Sequence, residues 1–161
     1  MVRVRARAVA GPPALRERFE SVRCDILRFG IRRETLRDEV RKMRERMRSE
    51  LSRSATGQFD IKQDPGGITD IEFLAQYWTL RWCDRHAELV TYSDNIRQLE
   101  SLAPIDLVPQ STVDLLTGAY RAYRQRMHHL SLDKADTVVP AEEFAAVREQ
   151  VSAVWRAAME D

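Results

Sequence analysis

From Pro13 to Met159 apolar residues return at intervals of three and four, and that spacing restricts the chain to helices packed on helices. A first segment, about 13 to 28, opens on Pro13, suited to a first helical turn, and carries Leu15, Phe19, Val22 and Ile26. A second, about 36 to 52, follows Thr35 as N-cap and bears Leu36, Val40, Met43, Met47 and Leu51. A third begins with Thr69 as N-cap, Glu72 closing a capping box, and Ile68 with Phe73 as a hydrophobic staple. It runs to about Asp84 and is apolar almost all round, so several neighbours must bury it. Ser93 caps a short helix with Ile96, Leu99 and Leu102, and Ser111 a long one running through Val113, Leu116, Tyr120, Tyr123, Met127 and Leu130. The last, about 141 to 159, shows Phe144, Val147, Val151, Trp155 and Met159. The expected fold is all-α, a bundle of about six helices with Trp78 and Trp155 buried.

Two stretches depart from this rhythm. At the N-terminus Arg3, Arg5 and Arg7 alternate with small apolar residues, which predicts an extended arm over residues 1–11, ended by Gly11-Pro12-Pro13. Between 53 and 67, Gln58-Phe59-Asp60-Ile61-Lys62 alternates as a strand would, and Asp64-Pro65-Gly66-Gly67 makes a tight loop. No internal repeat or low-complexity segment occurs.

Charge narrows the function classes. The formal net charge of +1 hides an asymmetry: residues 1–53 carry 16 basic and 8 acidic side chains, and the remainder 10 and 17. A basic first third suits an acidic protein surface, a nucleotide or RNA, and equally a solvated helix face in which acids and arginines interleave, as from Arg37 to Glu50. RNA is disfavoured by the scarcity of exposed aromatic and lysine positions. No apolar run is long enough for a membrane span. Cys24 and Cys83 lack metal-ligand spacing and read as free thiols of a cytoplasmic protein. His128 and His129 are neighbours on a helix and point to different faces, so no metal site is expected.

The loop before the third helix is where a ligand could be held. Gly66 and Gly67 would let an anion approach backbone N–H groups at a helix N-terminus, and Lys62, two residues beyond Asp60 on an extended piece, could face the same anion. The same residues also fit a purely structural turn, with Asp70 favouring the helix dipole and Lys62 solvated.

The run Phe59-Asp60-Ile61-Lys62 followed by Gly66-Gly67-Ile68-Thr69-Asp70-Ile71-Glu72-Phe73 closely resembles the signature of glutamine synthetase adenylyltransferases. Val4 to Gly11, Val40 to Arg48, Tyr92 to Arg97 and His128-His129-Leu130 fall in that family's order as well, so the resemblance covers nearly the whole chain. It implies an enzyme that transfers AMP from ATP to a tyrosine of glutamine synthetase. A second half of such an enzyme removes the AMP, and PII signal protein and glutamine act as regulators. Each half has a nucleotidyltransferase core, which holds Mg²⁺ on aspartates, followed by a helical domain. Residues 1–161 are similar to the C-terminal helical domain of the adenylylating half, with 1–11 as an arm left from the core. The resemblance makes Lys62, Gly66, Gly67, Arg5 and Arg7 the expected nucleotide-binding residues, and leaves catalytic and metal residues outside this chain. This sequence departs from the family pattern in lacking the Gly-Ser loop and the paired aspartates, since no Asp-x-Asp occurs. Without such carboxylates the phosphoryl group lacks its main counter-charge, so the chain alone is expected to be inactive and to bind neither Mg²⁺ nor ATP firmly.

Overall fold

The computed structural model describes residues 2–160; the side chains of Val2 and Arg3 lie outside what it describes. Six α-helices and one two-stranded ribbon make up the fold: α1 (Pro13–Phe29), α2 (Arg33–Leu51), β1 (Gln58–Asp60), α3 (Ile68–Trp82), α4 (Asn95–Glu100), α5 (Gln110–Leu132), β2 (Val138–Pro140) and α6 (Ala145–Met159). The all-α bundle is as the apolar spacing predicts. Short 3₁₀ turns occupy Val2–Arg5, Ala87–Val90 and Ala103–Ile105.

Helix α3 is the axis of the structure. It packs against α2, α4, α5 and α6, and twelve of its residues are buried, which is why its sequence shows no polar face. Trp78 and Trp155 are buried as expected, and Phe73 meets Trp155 edge to face. The ribbon joins distant parts of the chain: Phe59 lies opposite Val139 in antiparallel register, both inside the core.

Several expectations are corrected. The arm is not extended throughout, because Val2–Arg5 form a 3₁₀ turn that buries Val4. Helix α2 starts at Arg33, before Thr35, whose hydroxyl bonds Glu39 one turn on instead of capping. Ser93 gives way to Asp94, whose side chain accepts the Arg97 N–H, and Ser111 lies inside a helix that begins after Pro109. Residues 141–144 form a turn ahead of α6. The largest correction concerns α1. Its apolar row does not enter the core: Leu15, Phe19, Val22, Ile26 and Phe29 are all exposed, while Arg23 and Leu27 point inward. Arg23 explains the rotation, since its Nη2 donates to the Val90 carbonyl at 2.6 Å and its Nε to Glu20 at 2.7 Å. Between α1 and the arm runs an apolar groove of about 320 Å³, walled by Ala6, Phe19, Val22 and Ile26.

Candidate functional site

The segment from β1 to α3 is folded by carboxylates. Asp60, buried, accepts at Oδ1 from the N–H groups of Lys62 (2.9 Å) and Gln63 (3.2 Å) and from Thr137 Oγ1 (2.9 Å). Asp64 answers by accepting the Asp60 N–H at 2.8 Å and the Ser52 hydroxyl at 2.7 Å. From α2, Arg44 enters this loop wholly buried. Its Nε meets Asp70 Oδ1 at 2.5 Å and its Nη2 donates to the Gln63 carbonyl at 2.7 Å. Burial lowers the Arg44 pKa from its usual value, and the adjacent Asp70 carboxylate opposes that shift. The other Asp70 oxygen accepts the Gly66 N–H at 2.7 Å.

Both glycines are required by this geometry. Gly66 has φ 77°, and a Cβ there would overlap the Arg148 carbonyl oxygen and lie 2.6 Å from Ser152 Oγ. Gly67 has an ordinary φ, but a Cβ would stand 2.6 Å from the Ile61 carbonyl oxygen. Tyr123 reaches over from α5 and donates its hydroxyl to the Gly66 carbonyl at 3.0 Å, and burial pushes its phenol pKa up. Arg148 of α6 lies over the Phe59 ring and donates to the Pro65 carbonyl, fixing the loop's outer side.

The expected anion cradle is already filled by the chain. The Gly66 N–H is held by Asp70, the Gly67 N–H by the Asp64 carbonyl at 2.9 Å, and the Ile68 and Thr69 N–H groups by the carbonyls of Ile61 and Lys62. No free donor faces outward from this helix end, so the reading of Gly66-Gly67 as an open N–H cradle is corrected to a packed turn. Thr69 is not the cap either. The helix begins at Ile68 behind Gly67, and Thr69 is a buried residue of its first turn. Glu72 is therefore too deep for a capping box; its Oε1 instead accepts from Asn95 Nδ2 at 3.2 Å and Tyr120 at 3.3 Å, with Arg5 Nη1 at 3.9 Å.

The remaining expected residues fall into separate neighbourhoods. Lys62 is exposed on the turn after β1, beside a cleft of about 340 Å³ that Arg53, Asp136 and Thr137 also line. Arg5 belongs to the Glu72 cluster, and Arg7 is exposed on the arm. Among the described residues no group of three or more His, Cys, Asp or Glu side chains could hold a metal ion, and Asp60, Asp64 and Asp70 are occupied by the donors just named. The described residues therefore do not fit a magnesium site.

Arg44 is the residue that pattern reading missed. It lies in the Arg37–Glu50 run taken as a solvated face, yet it stands four residues after Val40 and three before Met47, on the stripe that α2 buries. Its partners could not be found from sequence, because the carbonyl of Gln63 is presented only by the folded loop.

The family model described as GlnD PII-uridylyltransferase matches residues 36–158. The chain is also 47% identical over 158 residues to the bifunctional glutamine synthetase adenylyltransferase/adenylyl-removing enzyme of Thioalkalivibrio sulfidiphilus (strain HL-EbGR7). That alignment covers 98% of this chain and 16% of the relative, so the chain spans about one sixth of the relative's length. No helix among the described residues is long and apolar enough to cross a membrane. With most of the chain matched by a nucleotidyltransferase family model and nearly all of it aligned to such an enzyme, the chain belongs to the glutamine synthetase adenylyltransferase family, as one domain of an enzyme of that kind.

Proposed function

We propose that this chain, residues 1–161, serves as the helical accessory domain of a cytoplasmic enzyme that uses ATP to adenylylate a tyrosine of glutamine synthetase. In that reaction the tyrosine oxygen bonds to the α-phosphorus of ATP and the bond to pyrophosphate breaks. A nucleotidyltransferase core outside this chain supplies Mg²⁺ and the carboxylates that hold it. The helical domain contributes a wall of the nucleotide cleft, with Lys62, Arg5 and Arg7 as cations for the triphosphate. PII protein and glutamine act on the parent enzyme.

The observation that carries this reading is the outward row on α1. Five large apolar side chains in heptad order, beside an apolar groove that the arm helps to form, make a surface of the kind folded neighbours cover. The proposed occupant is the nucleotidyltransferase core, which the arm would join to α1. A free basic surface for RNA or an acidic partner is less favoured, because Arg23, Arg33, Arg44 and Arg48 of the first third are already paired within the fold.

The test supplies a nucleotidyltransferase core from a relative in trans and follows labelled AMP from ATP onto glutamine synthetase. Label is expected only when core and chain are both present, and replacing Phe19 and Val22 by glutamate abolishes it. Lys62→Ala is expected to leave melting unchanged and to weaken ATP use about ten- to a hundredfold, the loss of one charge-assisted phosphate contact. Labelling by the chain alone, or by the core equally well without the chain, overturns the proposal.

A further inference from the structure

Behind the Gly-Gly loop, between α2 and the last turns of α6, lies a cavity of about 170 Å³. Arg44, Arg48, Asp70, Ser152, Trp155 and Arg156 form most of its wall. Its donors and acceptors do not balance. Among the described residues Asp70 is the one carboxylate buried there, and it already accepts from Arg44 Nε at 2.5 Å and the Gly66 N–H at 2.7 Å, with Arg48 Nη2 at an ion-pair distance of 3.6 Å. The two other acids at the wall, Glu45 and Glu160, are exposed, and Arg156 is turned to Glu149 at 2.7 Å.

Two guanidinium nitrogens are left over. Arg44 Nη1 and Arg48 Nε are closed to solvent, and neither has an acceptor among the described residues. Folded proteins leave few buried polar groups without partners, and a charged donor is the costliest to leave so. These two belong to neighbouring turns of one helix face, four residues apart, and both side chains line the same cavity.

We infer that this cavity binds a small oxyanion, a carboxylate or a phosphate group, between Arg44 and Arg48. Guanidinium groups match such oxygens in shape as well as charge. The space is far above the roughly 10–15 Å³ that one water needs, and below the roughly 300 Å³ where pockets for drug-sized ligands begin, so the ligand is an ion or a small acid. The last turn of α6 brings partial negative charge to one side, but Arg44 and Arg48 outnumber Asp70, the single buried carboxylate. Arg44 also holds the Gln63 carbonyl, so an anion on its free edge would stiffen the loop from behind. The inference stands apart from the proposed function, because it concerns the folded chain alone.

The test is thermal unfolding of the chain with inorganic phosphate, with acetate, and with sodium chloride at matched ionic strength. One of the two oxyanions is expected to raise the melting temperature about 5 °C above the chloride control at saturation, and which of them does so separates phosphate from carboxylate. Arg48→Gln should lose that shift and Lys62→Gln should keep it. In parallel, the Arg48 Nε–H resonance of the unaltered protein should move saturably on titration, a readout that does not depend on the variant folding. No shift above chloride with either anion, an equal shift in Arg48→Gln, or an unmoved Nε–H signal overturns the inference.

Discussion

Arg44 of α2 and Asp70 of α3 form an ion pair at 2.5 Å from which solvent is excluded, and through it α2 grips the loop that leads into α3. Because Asp70 also holds the Gly66 N–H, removing the arginine leaves a buried carboxylate without its cation. Arg44→Ala is expected to destabilise the protein by about 3–5 kcal/mol, whereas the double replacement Arg44→Met with Asp70→Asn should cost distinctly less than the sum of its parts. Urea unfolding of the single and double variants measures both; additivity would show that the pair does not act as a unit.

The glycines offer a contrast within one chain. Gly66→Ala and Gly67→Ala each drive a Cβ into backbone oxygens, and overpacking of this kind should cost about 1–3 kcal/mol or more. Gly118, inside α5, has open space around its Cβ position, so Gly118→Ala should stabilise by about 1 kcal/mol. Melting temperatures of the three variants decide the matter, and a stabilising Gly66→Ala would contradict the loop geometry.

Tyr123 predicts an alkaline weakness. Burial raises its phenol pKa above the unfolded value, so the native state favours the neutral form. The stability this contributes is whole below the ordinary tyrosine range near pH 10 and falls as pH rises through it. Tyr123→Phe should cost about 1 kcal/mol at neutral pH through the lost bond to Gly66, and should flatten the decline above about pH 10. Denaturation across pH, with phenolate absorbance as a second probe, tests the sign.

Capping gives a local check on α4. Asp94→Ala should lower stability by about 1 kcal/mol and Ser93→Ala by far less, since only the Asp94 side chain accepts the Arg97 N–H. Equal losses measured by thermal unfolding would mean that the serine caps after all.

How much of this was legible depends on what kind of information each feature needs. Helix periodicity is local, so the six helices were readable from residues such as Val113, Leu116 and Tyr123 without knowing their neighbours. Which way a stripe faces is not local. The row Leu15, Phe19, Val22 and Ile26 looks like a core face, and only the bond from Arg23 to Val90 shows that α1 turns it outward. The loop was readable as a special place through the family resemblance of residues 59–73, since a glycine pair before a helix is common by itself, but its inner wiring was not. Asp60, Asp64 and Asp70 could as well have been ligands for an ion; the structure makes them acceptors for the chain's own N–H groups. Thr69 misled because the loop carbonyls of Ile61 and Lys62 satisfy the helix end that a hydroxyl would otherwise cap.

The ribbon between β1 and β2 also fixes when the signature loop can exist. Asp60 takes a hydrogen bond from Thr137, 77 positions later, and Phe59 rests opposite Val139. A ribosome that has released residues 58–70 has therefore made every letter of the loop without making its shape. The loop must wait, with its carboxylates unanswered on one side, until α5 and β2 emerge and close a large ring of chain. Helices α2 and α3 can form early from local contacts, whereas the loop between them needs Thr137 and, from α6, Arg148 to complete it. A nascent chain stalled before residue 137 would be helical, compact in part, and blank at its most distinctive feature.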